Sequence, residues 1–207
     1  MNWLRSMLIF CSCQKEKRWR SRFSEKIDFS TWTVGELAVS ARGQKSAPVF
    51  ADSKPCPHLQ LCTVQNPMNA PFGASAYNDD GTATRLNMEL DLNEEQSIQL
   101  GKLDDWARAR AKDLGLKGEF RPCVSVDKHG NQRTRVKVST TGVHAAKFWD
   151  TMRTPLGNCR DLELGGALVT PVVAVTKLWT MAGQFGLTLE LRHGIVSLVS
   201  QECPDMM

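Results

Sequence analysis

Three cations at alternate positions are the residues whose types and spacing most suggest a binding chemistry. They are Arg133, Arg135 and Lys137 in the segment "HGNQRTRVKVST" (129–140), where threonine and valine fill the positions between them. Successive side chains of a β-strand point to opposite faces, so an extended segment places all three cations on one face. We call these three residues the cation ladder. A bound polyanion would replace their mutual repulsion by attraction, so the pattern favours a phosphate-rich partner.

Neighbouring residues in the sequence offer further candidates for the same interface. Arg121 and Lys128 precede the cation ladder, and Lys147 follows it directly before Phe148 and Trp149. Adjacent side chains of a strand point apart, so one of the two rings would face the core and the other would face solvent. Proteins that bind single-stranded nucleic acid combine a positive groove with aromatic rings on which bases stack. We therefore expect the cations to hold phosphates and either Phe148 or Trp149 to stack on a base.

The charge of the chain is concentrated around this segment. The formal net charge of the 207 residues is +4, whereas residues 117–160 hold nine Lys or Arg against three Asp or Glu. A focused basic patch indicates a polyanionic partner better than a modest overall charge does. Two other interpretations remain open: a basic hairpin that is simply solvated, and an edge strand whose charges block aggregation.

Sequence motifs of catalysis and of cofactor binding are absent. There is no GxxxxGK[ST], GxGxxG, GxSxG or HExxH. Asp104 and Asp105 stand on a predicted helix, where adjacent side chains diverge by about 100°, so they indicate a solvated face rather than an acid–base pair. Cys56, His58 and Cys62 could supply three zinc ligands, but no second pair completes a site. We therefore expect no enzyme, no small-molecule substrate, no metal and no cofactor.

The amino-terminal part of the chain differs from the rest. Residues 1–54 read as a basic, disordered leader and linker, residues 55–200 as a single β-barrel domain, and residues 201–207 as a short tail. The leader could instead be a nucleic-acid-binding or nuclear-import patch, or a weak membrane anchor that uses Cys11 and Cys13. No apolar run is long enough for stable membrane insertion. Without a secretory signal we expect an intracellular protein, at the nucleus or a site of replication.

The hydrophobic pattern predicts strands with one long helix among them. "RLNMELDL" (85–92) alternates as a half-buried strand, and a helix follows that is capped by Asn93 and ended by Gly115. The "DKHGN" turn then joins two strands, a long apolar strand covers 167–181, and two alternating strands follow, separated by Gly194. The predicted fold class is mainly β (α+β). We expect a small antiparallel OB-like barrel with one long helix inserted after the third strand.

Several segments together resemble a known family. They are "PFGAS", "RLNMELDL", "LDDWA" within the helix, "FRPCVSV", and the closing "GGALVTPVVAVTKLWTMAGQFGLTLEL". Their order over about residues 58–199 resembles the OB-fold single-stranded-DNA-binding proteins of large DNA viruses and short-tailed phages. The resemblance implies sequence-independent coating of single strands during replication or repair, without catalysis.

The function that we predict is therefore sequence-independent binding of single-stranded nucleic acid, with DNA favoured over RNA. The alternative is a structural or protein-interaction β-barrel, such as an assembly or coat-like module that uses exposed strand edges. A homo-oligomer is compatible with either function.

Overall fold

The computed structural model describes residues 27–41, 43–77 and 79–197, which form one extensive β-sheet with a single long helix. The predicted mainly β (α+β) class is confirmed. The helix α1 spans Glu94–Asp113. The strands are β1 (Trp32–Val34), β2 (Ala38–Val39), β3 (Lys45–Ala51), β4 (Lys54–Pro55), β5 (His58–Gln60), β6 (Met68–Ala70), β7 (Ala74–Ser75), β8 (Arg85–Asp91), β9 (Glu119–Arg121), β10 (Val124–Val126), β11 (Gln132–Ser139), β12 (Lys147–Asp150), β13 (Pro155–Gly157), β14 (Ala167–Met181) and β15 (Gln184–Ser197).

The long hairpin of β14 and β15 is the centre of the sheet. One edge of β14 pairs antiparallel with β3, β5 and β6. The outer edge of β15 pairs in parallel with β9, β11 and β12 in turn. The main path through the sheet runs β1-β3-β14-β15-β11-β8-β7 and is open. The sheet therefore differs from a purely antiparallel barrel, because three strands join β15 in parallel.

Helix α1 forms where its capping residues predict. The Asn93 side chain accepts from the Gln96 backbone N–H at 2.9 Å, and the Gln96 side chain accepts from the Asn93 N–H at 2.8 Å. This reciprocal pair satisfies two N–H groups that the first turn leaves without helical partners. The helix follows the eighth strand rather than the third, because short paired segments of two to seven residues precede it.

Residues 32–55, expected to end a linker, form strands β1–β4. Val49 of β3 is fully buried, and Ala47 and Lys45 pair with β14. The mixed composition of this segment obscured a short alternating pattern, in which Ala47 and Val49 face the core. The sheet thus begins before the expected boundary at residue 55, whereas residues 1–26 and 198–207 lie outside the described part of the chain.

Gly194 lies inside β15 and does not separate two strands. A methyl group on its Cα would stand 3.0 Å from two ring carbons of Phe148. The glycine is thus required by the close approach of a ring, and the backbone continues through it in the extended conformation. The resulting strand runs without interruption from the turn to Ser197.

The core lies between the inner face of the sheet and α1. Leu100 and Leu103 of the helix join the cluster that contains Met88 and Val136 from β8 and β11. Each of these four side chains is at most 1% exposed. Burial of such side chains, at roughly 1.5–3 kcal/mol each, fixes the register of the two strands. Their alternate residues are therefore directed to the outer face.

Candidate nucleic-acid interface

The outer face of β11 carries the cation ladder, as the alternation predicts. Thr134 and Val136 are fully buried, whereas Arg135 and Lys137 are exposed. Lys137 pairs with Asn87 of β8 on one side and with Glu190 of β15 on the other. The cations thus stand in the middle of a broad sheet face and not on its edge, so blocking edge aggregation is not their role.

Arg133 is largely covered and neutralised by two carboxylates. Its Nε donates to Asp91 at 2.8 Å and its Nη2 lies 3.1 Å from Asp127, while its side chain is only 16% exposed. Hydrogen bonds from Asn131 lower the pKa of Asp127 to about 2, and the charge of Arg133 adds a smaller contribution in the same direction. This guanidinium joins β11 to β8 and to the hairpin turn, and phosphate binding by Arg133 stays a prediction.

Arg135 also has a carboxylate partner but remains accessible. Its Nη2 lies 2.6 Å from Glu89 Oε1, and its side chain is 66% exposed. An exposed pair of this kind contributes little stability, about 0–1 kcal/mol, so its geometry can change at small cost. Arg135 can therefore turn towards a phosphate.

Lys137 lies close enough to two other cations to feel their charges. Burial and the neighbouring charges of Arg85 and Lys177 lower the pKa of Lys137, and Glu190 opposes this shift. Arg85 comes from β8 and Lys177 from β14, so the cluster crosses the strands rather than following β11. We call Arg85, Lys137 and Lys177 the cation cluster. Sequence reasoning missed Arg85 and Lys177, because they are distant from Lys137 along the chain.

Glu190 lies beneath the cation cluster and belongs to a buried polar network. Its carboxylate accepts from the Ser139 hydroxyl at 2.8 Å and lies 3.1 Å from Arg192 Nη2. The side chains of Glu190 and Arg192 are 9% and 11% exposed. Since Arg192 already neutralises this carboxylate, the positive charge of the cluster is left for an external partner.

Strand β12 brings Lys147 and Trp149 to the same face but buries Phe148. Phe148 is 1% exposed and packs in the core against Gly194, so the prediction that it could stack on a base is wrong. Lys147 is exposed, and the half-buried Trp149 ring lies 5.2 Å from the ring of His193. Of the two adjacent aromatic residues, Trp149 is thus the one available to a ligand.

The two remaining predicted cations lie at other places. Lys128 is exposed in the turn between β10 and β11, beyond the end of the ladder. Arg121 is on β9, which pairs with β15 at Gly186 near the tip of the long hairpin, and it lies 3.7 Å from Glu119. Strands β9 and β10 are separate because Pro122 interrupts the predicted continuous strand. These residues could extend a basic surface, but the described contacts do not link them to the cation cluster.

Two exposed aromatic residues beside β8 were not among the predicted site residues. Phe72 is 62% exposed and Tyr77 is 94% exposed, and both line an open groove of about 600 Å³. Asn87, Glu89 and Arg135 line the same groove. No periodic pattern identifies rings in such a short loop, because their exposure depends on how β7 pairs with β8.

Among the described residues, no three His, Cys, Asp or Glu side chains cluster as a metal site. The Cys62 thiol is buried, and this burial raises its pKa to about 11. No helix in the described ranges is sufficiently long and apolar to cross a membrane.

Solved structures similar to this fold come from bacteriophages. The C-terminally truncated single-stranded DNA-binding protein of bacteriophage Enc34 has a TM-score of 0.44 and 14% identity, with 79% of this chain and 93% of that chain covered. The chain resembles phage single-stranded-DNA-binding proteins. The Enc34 protein in complex with ssDNA gives a TM-score of 0.43 and 10% identity, covering 80% and 92%. The single-stranded DNA-binding protein gp2.5 of bacteriophage T7 has a TM-score of 0.42 and 14% identity, with 63% of this chain and 81% of that chain covered.

The resemblance expected from the order of sequence segments is thus confirmed. No protein-family model and no curated protein matches the chain.

Proposed function

We propose that this protein binds single-stranded DNA without sequence preference and without catalysis, as a component of replication or repair. The observation that carries the proposal is the cation cluster of Arg85, Lys137 and Lys177 on an open sheet face. Glu190, the carboxylate that acts on Lys137, is already paired with Arg192. A chain of phosphates is the ligand whose charge and length fit such a cluster.

Exposed and half-buried rings near the cations favour a single strand over a duplex. Phe72, Tyr77 and Trp149 come from three different segments of the outer face. Bases of a single strand are free to stack on aromatic rings, whereas those of a duplex are already stacked within it. Arg135 and Lys147 extend the positive surface between and beside these rings. The similarity to the phage structures, at TM-scores of 0.42–0.45, is not used as support. The proposal rests on the residues of this surface alone.

The proposal is tested by the salt dependence of binding to a fluorescent single-stranded oligonucleotide. Each phosphate contact on a single strand contributes about 0.7 to the slope of log affinity against log salt concentration. Replacing the three residues of the cation cluster by alanine is expected to reduce this slope by about 2. Anisotropy titrations at several salt concentrations, with a duplex competitor, measure both the slope and the preference for a single strand.

Lys112→Ala is the matched control, because Lys112 is exposed on α1, on the core side of the sheet. This control is expected to keep the slope. An unchanged slope in a folded triple variant would overturn the proposal. Binding that is absent in every protein tested would favour the protein-interaction alternative. Displacement by duplex as efficient as by a single strand would overturn the preference for a single strand.

A further inference from the structure

The groove beside β8 combines aromatic rings with a polar floor. Phe72 and Tyr77 contribute rings, and Asn87, Glu89 and Arg135 contribute polar groups. The Asn87 side chain makes no hydrogen bond within the described part of the chain, although it is half-buried. A groove with apolar walls and a few oriented polar groups is suited to a flat heterocycle.

Phe72 is held in place by the backbone around it. Gly73, at φ +65°, approaches the backbone of Gly165 so closely that a methyl group would lie 2.9 Å from the Gly165 nitrogen. The Ala70 carbonyl accepts from the N–H groups of Gly73 and Gly166 at 3.3 and 2.8 Å. The Arg133 guanidinium also lies 5.0 Å from the Phe72 ring centroid. The ring is thus positioned before any ligand arrives, which lowers the entropy cost of binding.

Tyr77 is the most exposed ring of the groove. Its residue is 94% exposed, and it makes no ring contact with another described aromatic residue. An exposed ring beside a preformed groove can close on a planar ligand at little structural cost, because nothing in the fold depends on its packing.

Glu89 determines which part of a strand can enter. Its carboxylate is 27% exposed, lines the groove and accepts hydrogen bonds from Arg135. The N–H groups of a base edge could donate to this carboxylate, whereas a phosphodiester has no proton to donate to it. The sugar–phosphate chain is therefore expected to lie on the Lys137 side of the site, above the cation cluster. The base then points from the cluster towards the groove.

We infer that the groove lined by Phe72, Tyr77, Asn87 and Glu89 is a slot for one nucleobase, and that the backbone of the bound strand passes over the cation cluster. This inference rests on the proposed function and adds to it an orientation of the strand across the sheet. Lys137 pairs with Asn87 across β11 and β8, so the phosphate side and the base side of the site meet at this pair.

The test compares an oligothymidylate with an oligonucleotide of equal length that carries only abasic sites. Both ligands present the same phosphates, but only the first offers bases. Stacking contributes about 1–3 kcal/mol per base, so Tyr77→Ala is expected to weaken oligothymidylate binding by about fivefold or more. The same variant is expected to leave abasic binding and the salt slope unchanged. Tyr77→Phe keeps the ring and is expected to restore the difference between the two ligands.

Ile98→Ala is the control for removal of an exposed apolar side chain, since Ile98 is 53% exposed on α1. It is expected to change neither titration. Equal weakening of both ligands by Tyr77→Ala, or no weakening of either, would overturn the slot while salt-sensitive binding upheld the proposed function. Failure of the wild-type protein to bind either ligand would overturn both.

Discussion

Arg133 and Lys137 stand four positions apart on one face of β11, yet their environments differ. Arg133 is paired with Asp91 and Asp127, whereas Lys137 is surrounded by Arg85 and Lys177 with Glu190 below. Alternation along the strand predicts that both point outward, and they do. It does not predict the neighbours, because these are set by the register of β8 and β14 against the hairpin.

We therefore expect Arg133→Ala and Lys137→Ala to change different measurements. Arg133→Ala leaves two carboxylates without their cation and should lower the midpoint of urea unfolding, with little change in the salt slope of binding. Lys137→Ala should reduce that slope by about 0.7 and leave the midpoint nearly unchanged. The reverse assignment of effects would show that Arg133, and not Lys137, contacts phosphate.

The lowered pKa of Lys137 gives binding a dependence on alkaline pH. Burial and the charges of Arg85 and Lys177 lower the pKa in the free protein, and a bound phosphate would raise it again. Binding therefore takes up a proton once the pH approaches the free pKa, so affinity should fall with rising pH below the ordinary lysine value of about 10.4. Anisotropy titrations from about pH 7 to about pH 9.5 measure this fall. The Lys137→Arg variant keeps its charge over this range and should make affinity nearly independent of pH. An equally steep fall of affinity in this variant would exclude Lys137 as the cause.

At the scale of elements, patterns with local causes were predictable and those with distant causes were not. The capping residues at Asn93 place the start of α1, and the apolar run 167–181 gives the bounds of β14. Gly194, by contrast, resembles a turn residue in the sequence. A glycine is needed there because the Phe148 ring, about 45 residues earlier in the chain, packs against its Cα. The exposure of Tyr77 likewise depends on the pairing of β7 with β8.

The contact between β12 and β15 is tested by Gly194→Ala. The added methyl group would stand 3.0 Å from Phe148 ring carbons, so we expect overpacking that lowers the free energy of unfolding by about 1–3 kcal/mol. Denaturant unfolding measures the loss, and adding Phe148→Leu should recover part of it. Gly165→Ala is the control, because open space surrounds that position. A loss equal to that of the control would show that the ring moves aside freely.

For the whole molecule, the residues of the proposed interface lie within one continuous sheet. Its cations and rings come from strands and loops that are far apart in the chain but adjacent on the face formed by β8, β11, β12, β14 and β15. The basic segment 117–160 therefore supplies only part of this candidate surface. The rest of the charge is brought in by β8 and β14.

A protein shortened to residues 27–197 is expected to keep salt-sensitive binding, because it retains every residue of the cation cluster and of the groove. Titrations of the shortened and full-length proteins against the same oligonucleotide provide the measurement. Loss of binding in a folded shortened protein would transfer the activity to the removed residues, 1–26 of the basic leader or 198–207. A small decrease in slope would indicate that the leader adds phosphate contacts to those of the sheet.

The long hairpin of β14 and β15 has a consequence for the order in which the chain can fold on the ribosome. Six other strands pair with this hairpin, yet it is formed by residues 167–197 near the end of the described chain. Strands β3, β5 and β6 therefore leave the ribosome well before their partner in the sheet exists. Their edges towards β14 and their apolar side chains stay exposed until β14 has been synthesised. We therefore expect chaperones to bind the nascent chain during this interval.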